Sequence, residues 1–315
     1  MIIDFSSHII TREVEKLLSS NRYFQGIRRS IAEESSDPEK RIELMEKFGI
    51  DMQVLTQTPP VIVGLDSKEA AEVCRISNDA IGMICRSYPE MFIPFAFVSL
   101  LDVKEAVREL DRAVNKWGCL GVIIGSNHDN KGMDDPENDP FFEKVCELDI
   151  PVFVHPMQWK SYNLVEEDFA VMRLFGWPFD TTIAILRLVV SGTMERYPTL
   201  RIVGHHLCGG MFPFFSNRFN IKLPNLKHVL KKPVSESLRR IYGDTAVDGT
   251  AAALPCGHAF FGTERMLFGT DYPFSPENGE VYLRENLAIV KSMDLPEREK
   301  DMILGGNAKK LLGLE

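Results

Sequence analysis

The sequence contains no CxxC pair, no GxGxxG after its first apolar segment and no GxxxxGK[ST] anywhere. Without such glycine-rich turns, an open sheet that cradles a nucleotide's phosphates loses its support. The six cysteines (Cys74, Cys85, Cys119, Cys146, Cys208, Cys256) are widely scattered. Free thiols in a reducing cytoplasm are therefore expected. No apolar stretch approaches the ~20 residues that span a bilayer. MIIDFSSHIITREVEK has no basic region ahead of its few apolar residues, so no secretory leader is expected either. Positive charge is also in deficit: 36 Lys and Arg against 45 Asp and Glu give a formal net charge of -9. That balance argues against nucleic acid or an anionic membrane as the main partner. It leaves room for a local arginine pair that binds a small anion.

What is present is a long alternation. Hydrophobic residues fill 44% of the 315 positions, enough to bury a large core. Short apolar runs recur near residues 2, 53, 95, 122, 152, 202, 242 and 267, and helical pattern separates nearly all of them. Thr11 to Ser20 predicts a short helix, Asp37-Pro38 opens another, and Ser67 to Arg86, Val103 to Lys116 and Asp180 to Tyr197 predict three more. Asn21 to Ser36 reads as polar and irregular, and Asp134 to Asp139 as an acidic, solvated loop. Eight such βα units favour a closed (β/α)8 TIM barrel, one domain over 1–315, above an open doubly wound sheet.

In a barrel of this kind the chemistry stands at the C-terminal ends of the strands. The first run ends at His8, the fifth at His155, the sixth at His205-His206 and the eighth at Asp271. The chain has only seven histidines, so this concentration of imidazole and carboxylate at strand ends suits a metal or acid–base site. Side chains alternate along a strand, so His205 and His206 are expected to point in different directions, one of them into the barrel mouth. The residues alone leave open which. His128, His228 and His258 fall in loops or helices and read as structural. Trp159 and Trp177 lie in a long insertion after the fifth run, where they either wall an apolar substrate or pack as core.

Several segments together, IDFSSH, RIELMEKFGIDMQVL, VFVHP, AILRLVVSGTMERYPTLRIVGHH, LFGTDYPF and ILGGNAKKLLGL, resemble the amidohydrolase superfamily, and within it the aminocarboxymuconate-semialdehyde decarboxylase-like branch. The resemblance implies a cytoplasmic lyase that removes CO2 without oxidation from a carboxylated aromatic or muconate-like acid. It implies a divalent metal, expected to be Zn2+ with Mn2+ as the alternative, held by His8, His155 and Asp271, with Asp271 also handling a proton. His206, six residues after Leu200, matches the position of the family's catalytic histidine. Arg29 and Arg218 resemble the arginines that hold a substrate carboxylate, the second supplied by a neighbouring subunit of a homodimer or higher homo-oligomer. Surface salt-bridging is the plain alternative for both.

Two positions depart from that pattern. The family's first strand reads Asp-x-His-x-His, and here the first histidine position is Ser6. A hydroxyl is a poor zinc ligand beside imidazole, which admits a metal-free state. Leu207-Cys208 also places one residue more than several relatives have between His206 and Gly209-Gly210. On the leading reading a Lewis-acidic metal lowers the pKa of bound water toward ~7, and His206 transfers the proton. A hydrolase that opens a lactone, amide or carbon–carbon bond on the same scaffold is the runner-up. A catalytically impaired barrel acting as a binding or structural subunit is the third.

Overall fold

The apolar runs become eight short parallel strands. The computed structural model describes residues 1–157, 171–220 and 230–314. Among these, the barrel strands are β1 (Ile3–His8), β2 (Met52–Thr56), β3 (Phe92–Pro94, resuming as Ala96–Phe97), β4 (Val122–Gly125), β5 (Val152–His155), β6 (Ile202–Gly204), β7 (Tyr242–Asp244) and β8 (Met266–Leu267). Each pairs in parallel with the next in the chain. The first half of β3 bonds β2 and the second half bonds β4. Phe5 N donates to Phe268 O at 2.8 Å and Asp271 N to Ser6 O at 2.8 Å, tying the exit of β8 back to β1. The expected (β/α)8 order is the observed one.

Register delivers the strand ends to one rim. His8 stands opposite Thr56, Gly125 opposite His155, and Val154 opposite Gly204, directly before His205. The alternation of side chains divides the core in two. Val122, Ile124, Val152 and Val154 pack outward on helix residues such as Leu110 and Leu188. Phe5, Phe95, Ile123 and Phe153 fill the inside of the barrel, where Phe5 meets Phe95 edge-on at 5.4 Å and Phe153 at 5.7 Å. The ring of Phe95 lies so close to Gly121 that a Cβ there would sit 2.3 Å from it. Phe5 and His8 are three residues apart, and strict alternation would place them on opposite faces. A register shift between Asp4 and Ser7 changes the parity of β1 and turns His8 inward.

The helices follow their sequence signals. Asp66 and Glu69 form a reciprocal capping box on α4 (Ser67–Ser87). Asp37 caps α3 (Pro38–Phe48) through Glu39 N, and Gly49 closes it at φ 69. Before these, α1 (Arg12–Leu17) is shorter than expected. The stretch read as irregular contains α2 (Arg22–Arg28), whose Asn21 cap accepts from Phe24 N. The helix expected from Asp180 starts earlier, at Trp177, runs to Val190 and breaks at Gly192. The acidic loop is ion-paired: Asp134 to Arg187 at 2.7 Å and Asp139 to Arg196 at 3.0 Å. No helix among the described residues is long and apolar enough to cross a membrane.

Candidate active site

Four of the residues expected at the site converge at the C-terminal rim, and a fifth, His205, stands at their centre. His8, His155 and His205 offer nitrogen atoms that all lie within 4.8 Å of one another, as do the ligand atoms of His205, His206 and Asp271. The ring centroids of His8, His155 and His205 form a near-equilateral triangle with edges of 5.0, 5.1 and 5.6 Å. Phe153 is its floor, 5.4 Å from the His205 ring and 6.4 Å from that of His8.

Hydrogen bonds set the tautomers. His155 Nδ1 lies 2.8 Å from Pro156 O, a carbonyl that only accepts, so Nδ1 carries the proton. Thr56 Oγ1 donates to Ser7 O at 3.0 Å, so its 2.7 Å contact with His8 Nδ1 is one in which the imidazole donates. His8 Nε2 is then a buried lone pair with no hydrogen-bond partner in the described structure, 3.4 Å from Asp271 Oδ1. Burial pushes the pKa of His8 below the usual histidine value and that of His155 well below it, which keeps both neutral. Buried neutral imidazoles with Nδ1–H held and Nε2 aimed at a shared point, beside a carboxylate, form a donor set that fits a divalent cation.

His205 is wholly buried. Its Nδ1 donates to Asp244 Oδ2 at 2.6 Å, and its Nε2 lies 3.2 Å from Asp271 Oδ1. Burial opposes its charge, but the Asp244 and Asp271 carboxylates outweigh burial and raise its pKa to about 10. Asp271 is held well below the carboxylate range: burial pushes it up, and the hydrogen bond and charge of His205 beside it more than reverse this. His206 was expected on the face opposite His205. Instead the two rings stack, with centroids 3.6 Å apart. The reason is the backbone: His206, Leu207 and Cys208 take left-handed conformations at φ 52, 50 and 58, so strand alternation ends at Gly204. His206 Nδ1 donates to Ala246 O at 2.6 Å, leaving Nε2 for chemistry.

These groups open on a pocket at the rim. Ile27, Pro60, Trp177 and Phe274 give it an apolar side, and His155, His206, Asp248 and Asp271 a polar one. Trp177 thus lines the site, whereas Trp159 and His228 lie outside the described residues. Among the described residues, no lysine or arginine lines the cavity. Arg29 is exposed, its Nε donating to Gln25 O at 3.0 Å. Arg218 is exposed as well, near the ring of Phe215. One chain brings neither to the site.

Two supporting groups escaped the sequence reading. Asp244 ends β7, and the rule that found His8 and His155 at strand ends would have found it. Arg41, 1% exposed, comes from α3. It donates to His8 O at 2.6 Å, Ser35 O at 3.1 Å and Gln53 Oε1 at 3.1 Å. Gln53 in turn bonds Asp4 Oδ2 at 2.9 Å. Burial pushes Asp4 up to about 7 despite four hydrogen bonds that pull it down.

The chain is 30% identical over 308 residues to a 2-amino-3-carboxymuconate-6-semialdehyde decarboxylase of Dictyostelium discoideum, covering 95% of this chain and 82% of that protein. It is 28% identical to a gamma-resorcylate decarboxylase of a Polaromonas species, covering 88% of this chain and 87% of that one. A crystal structure of a dihydroxybenzoic acid decarboxylase from Polaromonas, with bound manganese and the inhibitor 2-nitroresorcinol, superposes with a TM-score of 0.84 at 25% identity. That match covers 99% of this chain and 97% of the other. The amidohydrolase family model matches residues 3–314. The chain belongs to the amidohydrolase family, on the scaffold of its barrel decarboxylases.

Proposed function

We propose that this protein is a divalent-metal-dependent decarboxylase of a small carboxylated aromatic or muconate-like acid, working in the cytoplasm as a homodimer or higher homo-oligomer. The observation that carries this reading is the cavity, which Trp177 and Phe274 line together with His155, His206 and Asp271. The decarboxylase relatives and the manganese bound in one of them support it. His8, His155 and Asp271 are the residues that would hold the ion, Mn2+ or Zn2+. When bound, the ion supplies positive charge that attracts the acid's oxygens and stabilises electron density that builds up during bond cleavage.

The chain's own groups do the rest. Trp177 and Phe274 hold the ring of an aromatic acid. His206, fixed by its bond to Ala246 O, delivers a proton from Nε2 to the carbon that bears the carboxylate. The bond to the carboxylate then breaks, its electron pair returns to the ring, and CO2 leaves. Arg218 of a second copy, together with Arg29, would hold a carboxylate by bidentate hydrogen bonds.

The test is a panel of carboxyl-13C aromatic acids, gamma-resorcylate among them, given to Mn2+-loaded protein. Release of labelled CO2 is expected, with His206→Ala slowing turnover by about 10²–10⁴ at unchanged metal content. A ring-opened product that retains the label would replace the decarboxylase reading with the hydrolase one. Mixed oligomers of Arg29→Ala and Arg218→Ala should recover activity, and failure to complement would refute the shared site.

A further inference from the structure

Beneath the rim, the buried side chains of Asp4, Gln53, Arg41 and Thr270 tie the first strand to its neighbours on both sides. We propose that Asp4 is a positioning residue: through Thr270 on one side, and Gln53 and Arg41 on the other, it holds the bulge of β1 and the exit of β8 so that His8 and Asp271 face each other. The inference rests on the reading that these two residues act together at the rim, but its first test needs neither metal nor turnover.

The first half is a clasp across the seam between the first and last strands. Asp4 Oδ1 accepts from Thr270 N at 3.1 Å and Ser6 N at 3.3 Å, and Oδ2 accepts from Thr270 Oγ1 at 2.6 Å and Gln53 Nε2 at 2.9 Å. Two of these bonds reach the residue directly before Asp271. Asp271 has φ 58, in the left-handed region that costs an L residue energy and persists only where its surroundings hold it. Thr270 is the fixed point from which that residue turns. Asp4 binds both its amide and its hydroxyl, and the hydroxyl accepts from Tyr272 N at 3.2 Å on the far side of the turn.

The second half is a circuit that leaves β1 and returns to it. Gln53 stands opposite Asp4 in the ladder. Arg41 donates from Nη1 to Gln53 Oε1 at 3.1 Å and from Nη2 to His8 O at 2.6 Å. Asp4 and His8 are thus joined twice, by the chain through the bulge and by side chains around it. Between Asp4 and Ser7, β1 carries one residue more than β2 does between their partners Gln53 and Leu55, and that residue turns His8 inward. A ladder freed to slip back would send His8 to the other face. The circuit has a single polarity. Four donors converge on Asp4 and Arg41 only donates, so Gln53 must turn its carbonyl to Arg41 and its amide to Asp4. Asparagine at position 4 sets one NH2 against another, and turning Gln53 over moves the clash to Arg41. Glutamate at position 53 accepts from both and closes the circuit again.

The experiment uses the full chain, metal-free and labelled with 15N-histidine. The Nδ1 protons of His8, held by Thr56, and of His155, held by Pro156 O, should give slowly exchanging imidazole resonances. Asp4→Asn should lose the His8 resonance and keep that of His155, and Asp4→Asn with Gln53→Glu should restore it. In the Mn2+-loaded chain, Asp4→Asn should lower kcat about 10–100-fold, as for other outer supports. KM should stay within about threefold, because Trp177 and Phe274 are untouched. Thr270→Val removes one hydroxyl at constant shape, so it serves where Asp4→Asn does not fold, and should lower kcat about 10-fold. An unchanged His8 resonance, a loss shared by His8 and His155, a double variant that restores nothing, or a Thr270→Val kcat equal to wild type would overturn the inference. A wild-type chain without turnover would refute the decarboxylase reading instead and leave the resonances to decide this one.

Discussion

Arg41→Met offers a way to separate holding the barrel together from holding the metal site. Methionine fills much of the arginine's volume but donates nothing, so His8 O, Ser35 O and Gln53 Oε1 each lose a donor. At the low end of the ~1–3 kcal/mol cost of each buried unsatisfied acceptor, the chain loses about 3 kcal/mol. The bond to His8 O also anchors the end of β1 that carries one of the imidazoles proposed to hold the metal, so metal affinity should fall about 10–100-fold, as for other outer supports of a ligand. Urea unfolding with and without Mn2+ measures both effects. The metal-free midpoint reports the fold. The gain on adding metal follows RT ln(1 + [L]/Kd) and should shrink by about 1.4 kcal/mol for each tenfold loss of affinity. A metal-free stability within about 0.5 kcal/mol of wild type, inside the usual range for surface changes, would refute the argument about the acceptors. A full metal increment in a weakened chain would show that Arg41 serves the scaffold alone.

Other consequences are as open to measurement. His128 is buried, Leu100 N donates to its Nδ1 at 3.3 Å, and burial lowers its pKa to about 4. The unfolded chain binds this proton at the ordinary value near 6.5 and the folded chain resists it down to about 4. Its contribution is therefore complete above pH 6.5 and is lost as pH falls toward 4, a loss of about 3 kcal/mol. A His128→Gln chain should show a flatter stability curve over that interval, and an unchanged slope would contradict the assignment. Gly209→Ala should cost more than Gly210→Ala by at least about 2 kcal/mol in thermal unfolding, above the ~1–2 kcal/mol that a left-handed backbone costs any L residue. Both glycines have φ near +75, but a Cβ at 209 would sit 1.9 Å from Pro178 O whereas one at 210 meets open space. Equal losses would mean that the contact with Pro178 is relieved freely.

The strands were legible because each is a short buried run bounded by helical pattern, and the rim because polar residues punctuate those runs at His8, His155 and Asp271. Alternation failed at His205 and His206 for a local reason. It presumes extended backbone, and three successive left-handed residues after His205 abolish that premise. Nothing in the letters HHLCGG announces such a turn, since a left-handed run normally invites glycine or asparagine. The helix at Arg22–Arg28 was missed because its only sequence signal is the Asn21 cap. Arg41 was hidden for another reason. A charged residue on a helix surface is ordinarily solvated, and only the fold reveals that this one passes beneath β1 to reach His8 O. The arginine pair marks the far limit of such reading, since one chain leaves both exposed and away from the cavity.

The stacked rings of His205 and His206 hang from a single peptide unit, and Asp244 grips both, one oxygen on a ring nitrogen and the other on the backbone amide between them. Any shift of that unit is felt by both imidazoles at once. The placement of the two rings is therefore inherited as one trait. Laboratory selection for a faster variant would gain little from this turn, and its useful changes should accumulate on the opposite wall, around Ile27, Pro60 and Phe274.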